Sequence, residues 1–202
     1  RDRTALAGVP RRASALGVAT VSLRPVHRAR RFGRSLLARA PADADIAWAH
    51  SFLSTEERRL FDRMPAVDRV HSIGVARGVC AHLDRLDLTV EDPAARWILA
   101  AALTHDVGKS VAGLGTYGRV VATLSEAVGG ASMANVWAQR RGMTRKVGLY
   151  LQYPQLGADL LAVAGADERV VAWAAQHHEP EDAWTVPVDA GRLLVAADDE
   201  EL

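Results

Sequence analysis

Leu99-Ala100-Ala101-Ala102-Leu103-Thr104-His105-Asp106-Val107-Gly108-Lys109 is the stretch on which the reading of this chain turns. An apolar run closes on two adjacent metal-capable side chains, and a glycine and a lysine follow at once. On a helical period Ile98, Ala101, Ala102 and His105 share one face, so the imidazole is expected to leave the packed side of the helix. A histidine and a carboxylate side by side can hold one divalent cation. Lys109, a turn on, is placed to meet an anion bound at that cation. Standing alone near a helix end, a His-Asp pair is ordinarily a dipole partner or a solvated cap. Other stretches of the chain argue against that plain reading.

His71 lies on a helical stripe with Val67, Gly74, Val75, Gly78 and His82. Glycine in a helix costs about 1 kcal/mol relative to alanine, so two of them four apart imply a face flattened for close packing. Asp198 shares the apolar stripe of Gly191, Leu194 and Val195, where a carboxylate is costly unless paired or metal-bound. Asp199 falls on the Arg192 side and is expected to be solvated. His177 follows Val170, Trp173 and Ala174 and should point inward, while His178, one step round, is a supporting or substrate-facing group. Two imidazoles and two carboxylates, delivered by separate helices, make a mixed nitrogen and oxygen donor set. Transition ions suit it better than calcium does.

The 202 residues suffice for one large domain, or for one domain with an extension. Hydrophobic residues make up 49 %, much of it alanine, and aromatics only 5 %, which favours closely packed helices over a β-sandwich. The single cysteine, Cys80, excludes an intrachain disulfide. No apolar run approaches the roughly 20 residues of a membrane span, so a cytoplasmic, membrane-free protein is expected. The net charge of +1 hides an asymmetry: residues 1–39 carry ten arginines against Asp2 alone. Residues 1–45 therefore read as a basic, partly ordered arm, with one helix near Arg28–Ala40, and residues 46–202 as the helical domain. Aromatics do not interleave with the arm's arginines, so nucleic-acid stacking is not indicated. Only two lysines stand among 23 arginines, which makes Lys109 beside the His-Asp pair less easily background.

Helix signals fill the domain. Ser54-Thr55-Glu56-Glu57 is a capping-box start for a helix running to about Met64, where Pro65 stops it. A helix over Ala66–Leu83 follows. Asp92-Pro93 opens the helix that carries the His-Asp pair and ends at Gly108. After a glycine-rich link at Gly113–Gly118, helices are expected at Arg119–Val128, Ala131–Arg141, Thr144–Gln152 and Gln155–Val163. Asp167 caps Glu168–His178, and a last helix runs from Val188. No strand is expected.

The order His71, His105-Asp106, Asp198 resembles the HD family of metal-dependent phosphohydrolases. His105-Asp106-Val107-Gly108-Lys109 is similar to its His-Asp-x-Gly-Lys form, and Gln176-His177-His178-Glu179 to the His-His-Glu stretch of its HD-GYP-like branch. The resemblance spans Ser54 to Leu202 and implies an all-α, single helical bundle of the HD-domain type. It implies His71, His105, Asp106 and Asp198 as metal ligands, with His177 on a second ion. The cofactor implied is a divalent ion, of Mn, Fe, Co, Ni, Zn or Mg, and one tightly bound ion is expected because Tyr153, a neutral phenol and a poor ligand, stands where the two-metal branch has a histidine. Two departures stand out. Tyr153-Pro154-Gln155-Leu156-Gly157 has tyrosine where the two-metal branch has a histidine ligand. Pro180-Glu181-Asp182 follows Glu179 where the Gly-Tyr-Pro motif would be, which argues against cyclic di-guanylate hydrolysis.

The activity implied is hydrolysis of a phosphoester of a nucleotide or other small phosphorylated metabolite by metal-activated water. Asp106, Lys109, His177 and His178 are the expected catalytic groups, with Arg119 and Arg145 as further candidate phosphate contacts. A catalytically weakened, nucleotide-binding signalling module is the alternative. A helical interaction domain whose arm binds an acidic partner is a third reading, and association into oligomers is compatible with all three.

Overall fold

The structure, a computed structural model, describes residues 40–114 and 133–200. Most of the arm, its expected helix near Arg28–Ala40 and the expected helix at Arg119–Val128 lie outside the described residues. Among those described, the fold is all-α and no strand occurs. The helices are α1 (Asp43–Phe52), α2 (Thr55–Asp62), α3 (Ala66–Ala81), α4 (Pro93–Thr104), α5 (Lys109–Ala112), α6 (Ala134–Ala138), α7 (Gly142–Leu151), α8 (Tyr153–Val163), α9 (Glu168–Gln176) and α10 (Val188–Glu200). Short 3₁₀ turns at Leu83–Leu86 and Glu181–Ala183 join them. No described helix is long and apolar enough to cross a membrane.

Helix α4 is the axis of the bundle. Every residue from Trp97 to Thr104 is buried, so the helix is enclosed on all sides, as its alanine-rich run allows. Helices α1, α2, α3, α9 and α10 pack around it. The shared-face argument for His105 is thus weaker than it looked, because on this helix every face is an inner face. What sends His105 to the centre is its place at the helix end. There the residue caps α4, and Asp106, Val107 and Gly108 turn the chain into α5.

Several helix signals act as the sequence suggests. Ser54 and Glu57 form a reciprocal capping box: the Glu57 amide donates to Ser54 Oγ at 3.3 Å, and the Ser54 amide to Glu57 Oε2 at 2.7 Å. Asp167 caps α9 by accepting from the Arg169 amide at 2.9 Å. Asp92 does not cap α4. Its carboxylate instead accepts from the amide and the hydroxyl of Thr89 at 2.6 and 2.9 Å, closing the turn before the helix. Those two bonds hold its pKa below the ordinary value. Helix α1 begins at Asp43, inside the segment read as arm, and buries Ala49, with Leu53 buried just past its end. Its alternation of alanine with acids gave no clear apolar stripe to read.

Gly108 differs from its expected role. The sequence suggested that the helix ends at Gly108, yet it ends at Thr104, and Gly108 has φ −63°, outside the left-handed region of a helix-ending glycine. The glycine is needed for closeness. A Cβ there would lie 1.9 Å from the Tyr153 carbonyl oxygen and 2.7 Å from the Gly157 amide nitrogen. The start of α8 therefore sits directly on the His-Asp turn. Tyr153 opens α8, two residues before the start expected at Gln155, because Pro154 in the first turn suits a helix start.

Gly108→Ala is accordingly expected to destabilise the fold by about 3 kcal/mol, since backbone has to move to admit the methyl group. Gly113→Ala, in open space at φ +55°, should cost only about 1 kcal/mol through its left-handed backbone. Urea unfolding of the two variants checks the difference.

Candidate metal centre

The centre forms where the ends of α4 and α9 meet the flanks of α3 and α10. His105 sets it up. Its ring Nδ1 lies 3.0 Å from the Ala102 carbonyl, which can only accept, so Nδ1 carries the proton. The lone pair is then on Nε2, which is buried and has no hydrogen-bond partner among the described residues. Leaving a buried polar atom unsatisfied costs about 1–3 kcal/mol, so an orphan here needs a reason. His177 repeats the device, with Nδ1 3.0 Å from the Ala174 carbonyl. A hydrogen bond of this kind fixes ring orientation and tautomer in metal-ligating histidines.

Asp106 lies between these rings and is 1 % exposed. Its Oδ2 is 3.5 Å from His105 Nε2, 3.9 Å from His71 Nε2 and 2.5 Å from Lys109 Nζ. Its Oδ1 is 4.0 Å from His177 Nε2. Burial by itself would push this carboxyl up. The Lys109 ammonium and the imidazoles of His105, His71 and His177 outweigh it and hold the group well below the usual carboxylate range. The imidazoles move the other way. Burial lowers His105, and burial with the neighbouring rings of His178 and His105 lowers His177 well below its ordinary value. His178 is pushed down to about 4, chiefly by burial of its ring. A neutral imidazole and an ionised carboxylate are the forms that bind a cation.

The donor atoms of His71, His105 and Asp106 lie within 4.8 Å of one another. Two ligands each about 2.1 Å from a shared ion sit roughly 3–4 Å apart, which the 3.5 and 3.9 Å separations match. Asp198 comes in from α10, with Oδ1 2.9 Å from His71 Nε2. Asp199 is exposed, as its position on the stripe suggested. Close approach of α10 to α3 is eased by Gly78, where a Cβ would meet the Ala197 methyl at 3.2 Å.

Lys109 does not stand free to receive an anion. It is paired with Asp106, and its ammonium lies 4.8 Å from the centre of the Tyr153 ring. His177 and His178 fall just past α9, not within it as expected, on a turn pinned from both sides. The Gln176 side chain accepts from the Thr185 amide at 2.9 Å, and the Trp184 indole donates to the Glu179 carbonyl at 3.0 Å. Arg145 is exposed on α7, and Arg119 lies outside the described residues.

One group at the centre was not given a part by the sequence. Tyr153, 7 % exposed, brings its hydroxyl 3.1 Å from His177 Nε2 and into a hydrogen bond with His178 Nε2. The signal for it was present only as an anomaly, a tyrosine where the resemblance called for a ligand.

Compared with protein families, with characterised proteins and with solved structures, the chain finds no match. The arrangement is therefore interpreted from its own chemistry. The structure brings His71, His105, Asp106, Lys109, His177, His178 and Asp198 together, and the His71, His105 and Asp106 cluster is one that can hold a metal ion.

Replacing His105 by alanine should lower the divalent metal recovered with the purified protein at least tenfold, measured by elemental analysis. Stripping the ion from the parent chain with a chelator should lower its melting temperature. An ion present at a thousandfold its Kd contributes about 4 kcal/mol to the folded state.

Proposed function

We propose that this chain is a metal-dependent phosphohydrolase of the HD type, acting on a phosphoester of a nucleotide or another small phosphorylated metabolite. The observation that carries the reading is the buried cluster of His71, His105 and Asp106, in which His105 Nε2 has no hydrogen-bond partner among the described residues. The order of these residues and the resemblance of the His-Asp-x-Gly-Lys stretch support it. His71, His105, Asp106 and Asp198 would hold the ion, of which Mn, Fe, Co, Ni, Zn and Mg are the candidates.

Such an ion supplies a Lewis acid and a bound water with a pKa near neutrality. The remaining chemistry falls to the chain. Asp106 stays ionised through its pairing with Lys109 and fixes the charge of the centre. Lys109 brings the positive charge that can offset charge on the phosphoryl oxygens once Asp106 is shared with a cation. His178, exposed as a residue and lowered to about 4, enters the reaction as a neutral imidazole. A phosphate seated beside it raises its pKa, and the ring then becomes competent to protonate the leaving oxygen.

A second reading is favoured by particular contacts. Lys109 is tied to Asp106, and both His177 and His178 are tied to Tyr153, so the groups needed for turnover are engaged with one another. A domain in that condition can bind a nucleotide and signal without hydrolysing it.

A screen of nucleotide phosphoesters against the candidate metals separates the two. Phosphate release that falls at least a thousandfold in Asp106→Ala is the expected result. Tight nucleotide binding without release, whatever the metal, would favour the signalling module instead.

A further inference from the structure

We propose that Tyr153 limits the centre to one metal ion by latching the His177 and His178 imidazoles through its hydroxyl. The inference rests on the reading of His71, His105 and Asp106 as a metal centre, and concerns the opposite side of the same carboxylate.

Asp106 has two oxygens with different surroundings. Oδ2 faces His71 and His105, whereas Oδ1 faces His177 Nε2 at 4.0 Å. The His177 and His178 rings lie beside each other, with centroids 4.1 Å apart. His177, facing that oxygen, and His178 beside it are donor types that a second ion could use. Tyr153 engages Nε2 of both rings, and His177 Nε2 is the nitrogen that faces Asp106.

The protons can be assigned along this chain of three groups. His177 keeps its proton on Nδ1, facing the Ala174 carbonyl, so its Nε2 can only accept. The tyrosine hydroxyl has a single proton, which goes to His177 Nε2. The second contact must then run the other way, with His178 donating from Nε2–H to the tyrosine oxygen. One nitrogen has its lone pair engaged and the other carries a proton. Neither is available to a cation until the tyrosine lets go, and a neutral phenol is a poor replacement ligand.

Letting go is difficult. The Tyr153 carbonyl is packed against Gly108, where even a methyl group does not fit, so the start of α8 has little room to shift. Its ring contacts Lys109, 4.8 Å from the centroid, and Tyr150, at 5.6 Å. Binding a second ion would break two hydrogen bonds and displace a ring in contact with Lys109 and Tyr150.

The test is metal stoichiometry, read without any substrate. Full-length protein is stripped, reloaded with Co(II) and analysed by elemental analysis and by the visible spectrum of the bound cobalt. The parent chain is expected to hold one ion, and Tyr153→His two, with a second set of cobalt bands. Tyr153→Phe keeps the ring and removes only the hydroxyl. It should show a second, weaker Co(II) step in titration, and that step should vanish in Tyr153→Phe/His178→Ala while the first remains. If Tyr153→His does not fold, the phenylalanine variant decides the matter. Two tightly held ions in the parent chain would overturn the latch while sparing the metal centre, and so would a single ion in every folded variant. No cobalt bound by the parent chain would overturn the centre, and the latch with it.

Discussion

A carboxylate ionised in the interior of a protein needs its charge answered on all sides, and Asp106 is in that position. Desolvating an isolated charge costs several kcal/mol. Here the answer comes from one ammonium and three imidazoles, contributed by the turn after α4, by α3 and by the turn after α9. Lys109 is the only permanent cation among the four, and it reaches Asp106 because the chain turns sharply into α5 between them. The rest of the bundle exists around this requirement. A buried α4 delivers the pair, and α3, α9 and α10 each supply a group at its end or flank.

Close backbone approach is what makes so many groups meet. Gly108 lets α8 rest on the His-Asp turn, and α8 begins with Tyr153, whose hydroxyl reaches the two histidines after α9. A side chain at residue 108 would hold α8 away and separate Tyr153 from those rings. The glycine of the motif therefore acts through packing on the neighbouring helix, and the tyrosine becomes part of the polar network by the same contact.

The centre divides into two sides across Asp106. On one, His105 Nε2 lacks a hydrogen-bond partner among the described residues, and the donor atoms are spaced as a cation needs. On the other, the imidazole nitrogens are joined to a phenol. That difference is one of hydrogen bonding, because residue types on the two sides are alike. It bears directly on how many cations the centre can hold.

The sequence by itself determined the all-α fold, because the capping box at Ser54, the cap at Asp167 and the proline helix starts are local signals acting within a few residues. It also singled out His71, His177 and Asp198, since polar groups on apolar stripes are costly wherever they occur, and His105-Asp106 as an adjacent pair closing an apolar run. Helix α1 escaped notice because its residues form no stripe, and its burial comes from packing against α4. Only the tertiary structure decided the roles of Gly108, Lys109 and Tyr153. Each depends on a partner distant in space or hidden by a turn: the carbonyl under Gly108, the carboxylate claimed by Lys109, the ring nitrogens tied to Tyr153. Periodicity specifies which way a side chain points, whereas the proton and the lone pair it meets are settled by how the helices pack.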